Sequence, residues 1–157
     1  MKLKSFKKII LCFFIMCLLM SMLSISAFAA PETLSGDAYS TKIGLITLKV
    51  PEKSVVTTTN ERLTVAATAP EGTTVTVYRY DATSGIYRKA YLSDSPVESV
   101  VGPTMLFARQ VDLSYGVNKF IIRGEAPDGS ATIVRFDVTL LSKGFMERIK
   151  SIIEFNF

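Results

Sequence analysis

The chain has 157 residues, with 18 Lys and Arg against 14 Asp and Glu, two cysteines and no histidine. The lack of histidine removes the commonest general base and the commonest metal ligand. The formal charge of +4 lies wholly in the first thirty residues, whose four lysines face no acid; the eighteen cations less these four balance the 14 acids. That balance argues against nucleic acid or an anionic membrane as the partner of the remainder.

Residues 1–29 read as a signal peptide. Lys2, Lys4, Lys7 and Lys8 form a basic opening, an apolar run follows over residues 9–23, and Ala27-Phe28-Ala29 fits the small-x-small cleavage rule. The run is a little short for a full membrane span. Cys12 and Cys17 both fall in this leader, without the small residues that precede a lipidated cysteine. The mature chain is therefore expected to be secreted and free of disulfides and thiolate metal sites. It must rely on its core, and about 128 residues suffice for one domain that buries roughly two-thirds of its unfolded surface. A cysteine-free exported chain with this leader reads as bacterial.

Residues 30–40 are small and polar and read as a flexible lead-in. Over residues 41–141 the period is two. Ile43, Leu45 and Thr47 oppose Gly44, Ile46 and Leu48, and Pro51 is expected to break this first strand, since strands tolerate proline only at edges, ends or bulges. Leu63, Val65, Ala67 and Ala69 alternate with polar or small residues, then Pro70-Glu71-Gly72 turns the chain. Val75 and Val77 face one way; Thr74, Thr76, Tyr78 and Tyr80 face the other. "IYRKAYL" reads as a further strand, "SDSPVES" as a loop, and 101–113 as a less regular strand. Strands at 119–126 and 131–141 flank Pro127-Asp128-Gly129. Seven or eight short strands without helical period between them predict an all-β, antiparallel sandwich.

Residues 142–157 change period. Phe145, Ile149, Ile152 and Ile153 recur at helical spacing, giving a short C-terminal amphipathic helix that is marginal alone in water. It could cap the sandwich, dock on a partner or rest on a membrane surface.

Two stretches carry a family resemblance. "LTVAATAPEGTTVTVY" is similar to a "V-x-G-x-A-x-x-G-x-x-V-x-V" run, and "DLSYGVNKFIIRGEAPDGSATIVRFDVTL" to a "G-x-N" opening followed by two alternating strands around a turn. Both patterns are those of bacterial immunoglobulin-like domains of secreted and cell-surface proteins, and the chain resembles that family from about residue 54 to 141. Ala67 stands where the family often has glycine, and the tail lies outside the pattern. The resemblance implies an immunoglobulin-like sandwich and a module rather than an activity. It also explains why "APEG" and "APDG" echo one another: two strands on opposite sheets would face each other across the core and turn at the same end. Tyr115 resembles the corner tyrosine of such sandwiches.

No mature serine sits in a nucleophile elbow or a Ser-x-x-Lys motif, so no enzyme or cofactor is expected. Glu71 and Asp128 should share one end, as ordinary turn residues rather than a calcium site. The residues singled out for binding are Tyr78, Tyr80, Tyr87 and Tyr91. With Lys89, and bordered by Arg123, Arg135 and Asp137, they would form an exposed outer sheet face able to stack on sugars or anchor a protein. The alternative is ordinary cross-strand tyrosine packing. The expected function is a secreted, non-catalytic binding module, with a protein or glycan of the cell envelope as partner. A structural accessory docked through its tail and a small extracellular enzyme or inhibitor are the alternatives.

Overall fold

The computed structural model describes residues 30–142 together with 144, 145, 147, 148 and 151. The expected leader, residues 1–29, lies outside the described residues, as do Ile149, Ile152 and Ile153 of the tail. Residues 30–142 are all-β, and the described residues after them, 144, 145, 147, 148 and 151, are helical. The strands are β1 (Thr33–Leu34), β2 (Thr47–Val50), β3 (Val55–Thr58), β4 (Arg62–Thr68), β5 (Thr74–Asp81) and β6 (Ile86–Lys89). They continue with β7 (Tyr91–Leu92), β8 (Ser95–Pro96), β9 (Glu98–Val100), β10 (Leu106–Asp112), β11 (Gly116–Glu125) and β12 (Ala131–Leu140).

A large sheet has the order β1-β6-β5-β11-β12-β3, with β9 also pairing with β5; a small sheet has the order β10-β4-β2. All pairings are antiparallel except β12 with β3, which run parallel. The period of two decides what lies between the sheets. Val65 and Ala67 from β4 and Phe107 and Val111 from β10 meet Val75, Val77, Phe120, Ile122, Phe136 and Val138 in one core. Phe120 and Phe136 are direct cross-strand neighbours, with ring centroids 5.3 Å apart. Each such side chain contributes about 1.5–3 kcal/mol through burial.

The break at Pro51 occurs as expected, and it moves the chain from the small sheet (β2) to the edge of the large one (β3). The strand count is higher than expected because short pieces appear where a loop or one strand was read. "IYRKAYL" divides at Ala90, whose N–H donates to Val77 O at 2.8 Å, and Val97 in the expected loop is buried and donates to Ala90 O at 2.8 Å. The chain thus leaves the large sheet at Ala90, and β7 pairs with β8 in a small separate ribbon.

The echoed turns stand side by side. Gly72 and Gly129 both have φ +81°, a backbone region that glycine enters without a Cβ penalty. A Cβ on Gly72 would lie 3.7 Å from Pro127 Cγ. Three residues before its turn, Gly124 answers Ala67 in the echo, but for its own reason. A Cβ there would sit 2.1 Å from Ile46 Cγ2, so the backbone of β11 is packed directly against the side chain that precedes β2. Gly124→Ala should cost about 1–3 kcal/mol through overpacking. Denaturant midpoints of Gly124→Ala, Ile46→Ala and the double variant test this: the double variant should be more stable than the sum of the two single losses, and strict additivity would refute the contact as the cause.

Candidate functional site

Alternation brings most of the expected binding residues to one face, as read from the sequence. Tyr80 pairs with Tyr87, Tyr78 with Lys89 on one side and Ile121 on the other, Ile121 with Arg135, and Thr76 with Arg123. The expectation that this face is open is corrected. Tyr78 is 0 % exposed, Tyr87 8 % and Lys89 9 %. Tyr78, Tyr87 and Ile121 form a second apolar cluster, closed by Leu34, Tyr80 and Ile133.

The cover is the segment expected as a flexible lead-in. The Tyr78 hydroxyl donates to Pro31 O at 2.7 Å, and β1 pairs Thr33 with Arg88 and Leu34 with Tyr87. Farther along, Arg135 Nη2 donates to Gly36 O at 3.3 Å and to Ala38 O. Ser40 Oγ then accepts from Ile133 N at 2.9 Å, and Thr41 Oγ1 from Ala131 N at 2.8 Å. Residues 30–41 therefore cross the sheet as a strap from the β6 edge to the β12 edge, where side-chain hydroxyls replace strand pairing.

Lys89, Arg123 and Arg135, the cations expected to serve binding on this face, are each already engaged. Lys89 Nζ lies 3.0 Å from Glu32 and 3.1 Å from Glu98, which also accepts from Thr76 Oγ1 at 2.9 Å. Burial alone would lower the Lys89 pKa, but the hydrogen bonds its ammonium donates to both glutamates, with their charge, outweigh it and raise it above its ordinary value. Arg123 is paired with Glu125. Tyr80 meets Tyr87 at 5.2 Å, tilted, with Lys119 Nζ 5.8 Å from its ring centroid.

Tyr91 is the exception. The bend at Ala90 takes it off this face, and it is 50 % exposed on a groove of about 510 Å³ whose lining includes Arg79, Arg88, Asp112 and Ser114. Arg79 and Arg88, which the sequence reading passed over, face each other directly across β5 and β6. Arg88 Nε lies 3.1 Å from Asp81 Oδ2. Asp81 also accepts from Ser84 Oγ and Thr83 N, and these bonds, Ser84 first, hold its carboxyl down at about 2. Arg79 is held differently. Its Nη2 donates to Ser114 Oγ at 2.5 Å and Asn118 Oδ1 at 2.8 Å, both neutral. Among the described residues no carboxylate lies within 4 Å of it.

Asn118 is the post on which this arrangement rests. It is buried and fully bonded: Nδ2 donates to Ser114 O, Gly116 O and Val138 O, and Oδ1 accepts from Ser114 N at 2.9 Å. It fixes the 114–118 corner, a role the sequence assigned to Tyr115. Tyr115 is 69 % exposed, with its hydroxyl 3.4 Å from Glu61. A second hollow, of about 610 Å³, is lined by Asn60, Glu61 and Arg62 and adjoins the groove at Asp112. At the opposite turns Glu71 is exposed, and Asp128 accepts from Ser130 N at 2.9 Å, a local turn bond. Phe145 of the expected tail face is 50 % exposed. In comparisons with known proteins, no family model matches this chain and no curated sequence matches it.

The strap makes a pH prediction. Burial pushes the Tyr78 phenol from 10.0 up to about 12. A folded pKa above the unfolded one stabilises the fold fully below pH ~10 and is lost as pH rises toward 12, an effect on the order of 2–3 kcal/mol. Equilibrium unfolding from pH 9 to 12 should therefore fall more steeply for the native protein than for Tyr78→Phe. The phenylalanine variant starts about 1 kcal/mol lower through loss of the Pro31 bond. Parallel curves would refute the strap as the cause.

Proposed function

We propose that the protein is a secreted, non-catalytic binding module of immunoglobulin-like form that acts at or outside the cell envelope on a protein or glycan ligand. Export is supported by the basic opening, apolar run and Ala27-Phe28-Ala29 of the leader. The immunoglobulin-like reading is supported by three features taken together. One is the parallel pairing of β3 with β12, another the passage from one sheet to the other at Pro51, and the third the paired turns at Gly72 and Gly129. The tyrosine face does not carry the ligand in this reading, because the strap occupies it.

The observation that carries the reading is the groove. It is lined by Arg79 and Arg88, paired across β5 and β6, and by a half-exposed aromatic ring, in a hollow of about 510 Å³. That size falls within the ~300–1,000 Å³ usual for ligand sites. Arginine and tyrosine are the residues most often found to anchor partners. The test is co-sedimentation of the purified protein with envelopes of the producing cells. The native protein should pellet, and the Arg88→Ala/Tyr91→Ala double variant should lose at least about 1.4 kcal/mol of binding, a tenfold drop. A folded native protein that stays in the supernatant would refute the envelope reading.

A further inference from the structure

We propose that the groove between Arg79, Arg88 and Tyr91 takes a carboxylate-bearing sugar, one acidic residue of a glycan whose neighbouring residues are neutral. This rests on the binding-module reading and names its ligand class.

The argument begins with the two arginines. Like charges placed directly opposite one another across two strands repel, and Arg79 and Arg88 are in that register. Arg88 is partly offset by Asp81 through Nε. Its two terminal nitrogens make no bond among the described residues, and with the side chain 57 % exposed they leave a planar fork accessible to a ligand. Arg79 is oriented by Ser114 and Asn118 through Nη2 without being neutralised. Two fixed guanidiniums with one unit of charge left over suit one carboxylate, which would gain charge-assisted hydrogen bonds from both.

The surroundings narrow the class further. Tyr91 offers a ring with a polar tip at the same groove, and such a ring suits the apolar face of a pyranose better than a bare ion. The adjoining hollow continues past Asp112 to Glu61 and Asn60. These oxygens accept hydrogen bonds from sugar hydroxyls; Arg62, which also lines the hollow, holds Asp112 at 3.1 Å, so Glu61 is the acid left to disfavour a second carboxylate there. A polyanion charged at every residue is thereby disfavoured, while alternation of acidic and neutral sugars fits. Lys89 takes no part, since Glu32 and Glu98 already hold its ammonium.

The experiment is titration calorimetry of the purified full-length protein with a hyaluronan tetrasaccharide, in which glucuronate alternates with a neutral N-acetylhexosamine. Chitotetraose serves as the uncharged control and poly-glutamate as the acidic peptide control. The tetrasaccharide should bind, weaken with added salt, and exceed both controls by about tenfold or more. Arg88→Lys keeps the charge and loses the planar fork, and should lose about tenfold. Tyr91→Ala should lose a similar factor with an unchanged unfolding midpoint. Equal binding of chitotetraose would overturn the carboxylate, and equal binding of poly-glutamate would overturn the sugar. If the protein pellets with envelopes in an Arg88-dependent way but ignores the tetrasaccharide, this inference falls while the binding-module reading stands. If it does neither, both fall.

Discussion

A sheet that is apolar on both faces has to be covered twice. In this protein that sheet is the large one, and its central strand shows why. Phe120, Ile121 and Ile122 follow one another in β11, and all three are 0 % exposed. Phe120 and Ile122 face the small sheet, while Ile121 faces the other way with Tyr78. The small sheet can satisfy only the first side. The second is covered by the strap, which has almost no regular structure of its own and holds on through a phenol, an arginine and two hydroxyls. The carbonyls of Pro31, Glu32, Gly36 and Ala38 accept from donors on the strands it crosses.

This division sorts the charged residues into two populations. Lys119 lies at the margin of the strapped face over the Tyr80 ring, while three cations on that face are engaged: Lys89 between two glutamates, Arg123 with Glu125 and Arg135 with strap carbonyls. Such pairs are costly to break, because the remaining partner is left partly desolvated. On the opposite face of the same strands, Arg79 is positioned by neutral oxygens and keeps its charge unanswered. One strand therefore carries a structural phenol at 78 and an uncommitted guanidinium at 79.

The inward residues, the break at Pro51 and the two glycine turns were legible, because period two and turn chemistry are local properties. Membership of the tyrosine face was legible for the same reason. Its burial was not, since the cover is a two-residue strand with a single apolar side chain, Leu34, bonded to strands far along the chain. One signal was present and passed over: three apolar residues in a row at 120–122 imply burial on both sides. The arginine pair could also have been found. A hairpin that joins Tyr80 to Tyr87 necessarily joins Arg79 to Arg88. The bend at Ala90 had no such signal, because "RKAYL" continues the alternation without interruption. Asn118 was quoted only as part of a pattern; its role depends on the carbonyl of Val138 in the neighbouring strand as well as on those of its own corner.

The parallel pairing of β3 with β12 has a mechanical consequence. Once the strap and β2 have been drawn from their partners, tension between the two ends of the chain would pull β3 backward and β12 forward along the same line. The four paired positions from Val55 with Asp137 to Thr58 with Leu140 would then bear load together, in shear. The strap lies outside that patch and would peel from its β6 end one bond at a time. A module built this way yields in stages, giving up the short slack of the strap first while the body of the domain remains closed.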